Sequence, residues 1–387
     1  FSGSPWTTTS NDIYYTTGDV GIGTTTPNEP LHVDGKVRID GGVLVIDQGA
    51  SANNGILITS NPSNYVSETS HVSVRIGRSA GQQLSASAQK NVAIGNSALE
   101  RSTASYNVAL GFRTAKGMNG GYNVVLGDFA GNQNFNPVNN PRNVILGYQA
   151  GQQSSAGDNV VIGYDSSRYT TGGQNVSIGR SAAMGSSGTS TFSNTVAVGY
   201  QALTALTTGT ANTALGREAG LALTTGGSNL MVGNQAGMSI TTSNSNTYLG
   251  AYAGKSSSAT SSSQTFVGTS AGQYNRGSSN AVLGSSALAY GSTSYSVAVG
   301  SQAGHTGGGG NAVHVGYRAG RNTSGSGNVT IGYDAGLGTQ SVSTFANTVA
   351  VGYQALTALT TGASNTAVGY QAGAALTTGA NNTFLGY

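Results

Sequence analysis

Along most of the chain, short apolar triplets return at nearly constant intervals, each ending at a glycine. Aligned on that glycine they read VRIG (Gly77), VAIG (Gly95), VALG (Gly111), VVLG (Gly127), VILG (Gly147), VVIG (Gly163), VSIG (Gly179) and VAVG (Gly199). The series continues through Gly216, Gly233, Gly250, Gly268, Gly284, Gly300, Gly316, Gly332, Gly352, Gly369 and Gly386, making 19 units spaced by 16 to 20 residues. The residue before the glycine is always Ile, Leu or Val, and the one two before that is usually Val or Thr, as in Val92/Ile94 and Val297/Val299. That period of two predicts a strand whose flanking side chains form the core. The residue between them ranges over Ala93, Val125, Ser177, Met231, Tyr248, Phe266, His314 and Phe384. It is expected to face away from the core, often at a boundary between subunits.

Strands this short cannot hide an apolar face alone, and units of this length are too small for a strand plus a full helix. The pattern therefore predicts an all-β chain, a solenoid in which each coil covers the next and parallel strands stack at ~4.8 Å per coil. The glycine suits a corner, and Ala three residues later (Ala98, Ala130, Ala202, Ala303) implies close backbone approach. Asn opens many units (Asn91, Asn107, Asn123, Asn159), where its amide can bond local backbone and stack on the Asn of the next coil. The sixteen residues NTVAVGYQALTALTTG occur verbatim at 194–209 and again at 347–362. They lie nine coils apart, which reads as duplication of a nine-coil block and a gain in length. Residues 71–387 thus form the repeat region. Residues 1–70 lack its signature, although Val37, Ile39, Val43, Val45, Ile56 and Ile58 alternate, and this part is expected to cap the solenoid and join it to a stalk.

Composition narrows the functional classes. Only 29 of 387 residues are charged, 16 Lys+Arg and 13 Asp+Glu, and the basic ones form no run along the sequence. Nothing in that arrangement prepares a nucleic-acid or anionic-membrane surface. With no Cys there is no disulfide, thiolate chemistry or Cys-ligated zinc. No apolar stretch approaches the ~18 residues of a membrane span, so no membrane insertion is expected. The chain opens at Phe1 and stops in mid-pattern at NNTFLGY, and it is read as a piece of a longer one.

NVAIGNSAL, NTAVGYQAG and NAVLGSSAL, with their relatives from about Val74 to Tyr387, resemble the head repeat of trimeric autotransporter adhesins, the YadA-like head. The resemblance implies a left-handed parallel β-roll assembled as a homotrimer, although the units here are longer than in those heads. GDVGIGTTTPNEPLHVDGKVRIDGG, residues 18–42, resembles a segment recurring in phage and other viral tail fibres and in related bacterial surface proteins. Together these imply a fibrous trimeric attachment protein of a virion tail fibre or cell surface. Its partners would be its own copies and a host cell-surface glycan or protein. A purely structural spacer, a bacterial adhesin head and a glycan-cleaving fibre are the alternatives.

The residues offer little catalytic chemistry. GAYAGKS, residues 250–256, approaches a phosphate-binding loop, but the required first glycine would fall at Leu249. His32, His71, His305 and His314 are dispersed, without metal-ligand spacing. No enzyme activity, cofactor or metal site is expected, and the Asn-x-Ser/Thr matches are explained by the repeat. Tyr148, Tyr164, Tyr200, Tyr317, Tyr333, Tyr353, Tyr370 and Tyr387 each follow the repeat glycine, so coil stacking would align them as stripes. The stripes are read as packing ladders or as aromatic platforms for glycan rings. The insertion GNQNFNPVNNPR, residues 131–142, contributes Phe135 and Arg142. With the tyrosines up to Tyr370 they are the candidate surface-binding residues.

Overall fold

The computed structural model describes residues 73–387 except 83, 85–87, 133–140 and 308, together with five short strands nearer the N-terminus. The chain forms two compact units, Phe1–Ser51 and Ala52–Tyr387. In the first, β1 (Trp6–Thr9) pairs antiparallel with β2 (Asp12–Tyr15), and β3 (Val20–Ile22) pairs parallel with β4 (Leu31–Val33). The expected alternation at Val37, Ile39, Val43 and Val45 lies outside the described residues.

The second unit is a parallel β-solenoid, and no helix occurs among the described residues. Twenty strands form one ladder in which each joins the repeat strands before and after it, starting with Ile56–Ile58 against Val74–Ile76. The ladder thus begins one strand ahead of the first repeat glycine. Pairing is in register throughout, as in Val196↔Thr213, Ala197↔Ala214 and Val198↔Leu215. At the parallel-sheet spacing the ladder runs on the order of 90 Å.

Which side of the strand faces inward overturns the sequence expectation. The variable middle residue is the interior one: Ala93, Val125, Met231, Tyr248 and Phe266 are all fully buried, and His314 nearly so. The flanking Val, Ile and Leu are half-exposed or exposed, reaching 52% at Leu283 within the ladder and 77% at Leu385 in its last strand. The reason is room. Each coil encloses a narrow space already occupied by the fully buried Ala202, Ala219 and Ala236 ladder and by residues such as Leu206, Leu223 and Ile240, seven past the glycine. Two branched side chains per strand do not fit there, whereas one middle side chain does.

The interior is filled by complementary choices. Where the middle residue is large, the fourth residue after the repeat glycine is Gly: a Cβ at Gly272 would lie 2.2 Å from the Phe266 ring, and one at Gly254 would lie 2.7 Å from Tyr248. Where the middle residue is Ala, that fourth position can carry a fully buried leucine, as in Ala93 with Leu99, Ala197 with Leu203 and Ala350 with Leu356. The repeat glycine itself fits the predicted corner. At Gly199 φ is +136°, and a Cβ would lie 2.4 Å from the carbonyl oxygen of Gly216 in the next coil.

The asparagine prediction holds in detail. Asn107 N–H donates to Asn91 Oδ1 (2.9 Å), Asn123 N–H to Asn107 Oδ1 (3.0 Å), and Asn143 N–H to Asn123 Oδ1 (2.8 Å). The side-chain amide donates in turn to a nearby carbonyl, as from Asn229 Nδ2 to Ser243 O (2.8 Å). Buried backbone groups at this corner, costly if left unpaired, are thereby satisfied coil after coil. Thr195, Gln264 and Ser296 take the same position in other coils.

The apolar interior has three stretches, from Ala80 to Val161, from Ala182 to Ala303 and from Ala335 to Ala372. Between the first two lie buried Ser166, Ser167, Thr170 and Ser177, and between the last two lie His314, Thr323 and Thr330. Ser177/Thr330 and Thr170/Thr323 are each 153 residues apart, the separation of the verbatim copies. Beyond each pair the turn repeats as well: Ser190 Oγ donates to Leu206 O (3.1 Å) and Ser343 Oγ to Leu359 O (3.1 Å), with Phe192 and Phe345 fully buried beside them. The duplicated block is therefore a duplicated structure.

Candidate functional site

The segments singled out for chemistry have packing roles. In GAYAGKS, a Cβ on Gly250 would meet the Gly268 carbonyl oxygen at 2.5 Å, and Gly254 makes room for Tyr248. Both glycines are required by the coil. His314 points into the interior, bonded through Nδ1 to Thr330 Oγ1 at 2.8 Å, and burial lowers its pKa from the ordinary 6.5 to about 4. No group of three or more His, Asp or Glu among the described residues is arranged to hold a metal ion.

The outer wall of the strand ladder is an extended apolar surface. Two columns of Val, Ile, Leu and Thr face outward along it, with Val124 40%, Val144 38%, Leu215 47%, Leu249 43% and Leu283 52% exposed. At ~90 Å by ~10 Å the wall is on the order of 900 Å², above the few hundred Å² usual for the largest apolar patch of a monomeric protein. Sequence reasoning placed these side chains inside and so missed the surface. The usable signal was their nearly constant bulk, since a narrow coil holds little that is both branched and doubled.

The tyrosines do align in one column, as their shared register predicts, but in two separate stacks. Tyr148 stacks on Tyr164 at 5.3 Å; the guanidinium of Arg180 then lies 5.6 Å from the Tyr164 ring and 5.9 Å from that of Tyr200. The second stack runs Tyr317, Tyr333, Tyr353, Tyr370 and Tyr387, with centroids 5.1 to 5.2 Å apart. Between the stacks the same column holds Arg217, Asn234, Ala251, Thr269, Ser285 and Ser301. Rings inside a stack spend their faces on one another. What they offer outward is an edge and a hydroxyl, which can hydrogen-bond a ligand but cannot lie flat against a sugar ring.

Of the insertion, Phe135 lies outside the described residues. Arg142 is already engaged: its Nε and Nη2 donate to Asp158 Oδ1 (2.6 Å) and Oδ2 (2.9 Å) one coil on. The guanidinium holds the Asp158 carboxyl below its usual pKa range. Further along, Arg318 makes the corresponding inter-coil bond to Asp334 (2.7 Å) and lies 5.0 Å from the Tyr317 ring. Compared with known proteins, the chain matches no family model, no curated protein and no solved structure.

Proposed function

We propose that the solenoid is the rod of a fibrous attachment protein, three copies of which pack along their outer strand walls. The carrying observation is that wall, two apolar columns repeated at every coil and open to solvent in the single chain. A second copy presents the same columns at the same axial spacing, so it is the partner whose face matches over the whole length. The number three and a left-handed roll follow from the resemblance to YadA-like heads. A long, weakly charged rod offering the same neutral hydroxyl and amide groups at every coil suits attachment by many weak contacts at a virion or cell surface. Catalysis and a cofactor have no place in this reading.

Sedimentation equilibrium tests the assembly, with a trimer expected. A stable folded monomer with the wall exposed overturns it. Attachment is tested by adding the purified trimer to host cells in competition with the parent particle or cell. Failure of an intact trimer to compete reduces the rod to a spacer.

A further inference from the structure

Basic residues that are scattered in sequence are brought together on a second wall of the solenoid, away from the strand ladder. No Asp or Glu occurs between Glu218 and Asp334, while Lys255, Arg276, Arg318 and Arg321 do. The two flanking acids are engaged elsewhere, Glu218 by Arg217 (2.6 Å) and Asp334 by Arg318. Lys255, Arg276 and Arg321 have no acidic partner among the described residues.

Coil stacking sets these cations around an aromatic track. Tyr274 and Tyr290 begin the short parallel strands Tyr274–Asn275 and Tyr290–Gly291, and their rings stack at 4.9 Å. The His305 ring meets Tyr290 edge-on at 5.1 Å. Tyr290 N–H donates to His305 O and Thr306 N–H to Arg321 O, both at 2.8 Å, so the three coils follow one another along this wall. Arg276 is exposed, and its N–H donates to Gly291 O (3.0 Å). Lys255 lies one coil before Gln273, where Ser256 N–H donates to Gln273 O (2.7 Å), and its ammonium is 5.0 Å from the Tyr252 ring. His305 Nδ1 and Arg321 Nε are buried and make no hydrogen bond. Burial and the nearby Arg321 hold His305 below its ordinary pKa, leaving a neutral ring with a free nitrogen.

We propose that this wall, with Lys255, Arg276, His305 and Arg321 around Tyr274 and Tyr290, binds an acidic polysaccharide lying along the rod axis. The cations are spread over four coil steps, ~19 Å at the parallel-strand spacing, which suits a linear polymer with anionic groups at intervals rather than one compact anion. The surrounding Ser, Thr, Asn and Gln side chains match sugar hydroxyls, and the absence of acids keeps the local potential positive. Single-stranded nucleic acid fits less well, because base stacking needs open aromatic faces and Tyr274 and Tyr290 cover each other.

The site rests on the attachment reading, yet it is tested apart from it. Purified full chain is titrated with heparin (sulfate and carboxylate), hyaluronan (carboxylate only), dextran (neutral) and polyuridylate. The expected result is binding to heparin, hyaluronan or both that weakens with salt, with dextran inert; the two acidic polymers distinguish sulfate from carboxylate recognition. The double variant Arg276→Gln/Arg321→Gln should bind at least tenfold more weakly at unchanged sedimentation and circular dichroism. Arg276→Lys/Arg321→Lys should keep most of the binding, and Arg142→Gln should keep all of it. Equal binding of dextran, stronger binding of polyuridylate, or a Gln double variant that binds like the original chain overturns the proposal. Failure of the original chain to bind heparin or hyaluronan while it still attaches to cells sinks this site alone, whereas failure to attach with heparin or hyaluronan binding intact sinks the attachment reading alone.

Discussion

The coils closed by Gly199 and by Gly268 fill the same narrow interior in opposite ways. In the first, Ala197 sits mid-strand and Leu203 supplies the bulk from the returning turn; in the second, Phe266 supplies it from the strand and Gly272 stands aside. The fourth position after the corner is left-handed in both, with φ +52° at Leu203 and +55° at Gly272. Backbone conformation therefore does not dictate glycine there. Volume does: glycine appears where a side chain of its own coil, as Phe266 beside Gly272, or of the adjacent coils, as Leu203 and Met231 beside Gly220, has already filled the space. A variable middle residue and an occasional glycine look unrelated in sequence, but they form one coupled choice.

That coupling can be broken and partly restored. Phe266→Ala should cost about 3–5 kcal/mol by leaving a cavity, and Gly272→Leu alone should also be strongly destabilising through overlap with the ring. The double variant transplants the Ala197/Leu203 arrangement and should be more stable than the sum of the two by about 1–3 kcal/mol. The measurement is denaturant unfolding of all four proteins at one concentration, since assembly couples to stability. Strict additivity would show that the two positions do not share a space.

A second test sharpens the comparison with a middle residue that titrates. His314 fills its coil as Phe266 does, beside Gly320, but burial holds its pKa at about 4 against the ordinary 6.5. The unfolded chain therefore takes up the proton first as pH falls. Its contribution is whole above about pH 6.5, declines between 6.5 and 4, and levels off below about 4. The loss across that window should be about 3 kcal/mol. Unfolding measured at pH 7 and pH 4 should show it in the original chain and lack it in His314→Gln, whereas coils built on Phe266 or Ala197 give no such term. An identical pH response in the two proteins refutes the assignment.

The smallest effect should be indifferent to the comparison. Asn107 serves a coil with Ala109 inside and Asn229 a coil with Met231 inside, yet each accepts from the next coil's backbone N–H, at 3.0 Å from Asn123 and 3.0 Å from Asn246. Replacing either with Ala leaves a buried N–H unpaired and should cost about 1–3 kcal/mol. Chemical unfolding should return similar values for Asn107→Ala and Asn229→Ala. A clear difference would mean that the ladder depends on how the interior is filled.

The strands, the glycine corners, the alanine ladder, the asparagine ladder and the nine-coil duplication are all legible in the sequence. Each is a local requirement repeated at one register, and repetition shows it without knowledge of any neighbour. Facing is not legible, because a triplet such as Val196–Ala197–Val198 alternates equally well with either side inward. Only closure of the coil decides it: the ring of 16 to 20 residues leaves space for one middle side chain beside the alanine ladder, which turns the branched pair outward. Nor is the second wall legible, since Lys255, Arg276, His305 and Arg321 lie 16 to 29 residues apart and form no run. They become neighbours because each coil rises by a single strand spacing, which converts a distance along the chain into a few ångströms along the axis.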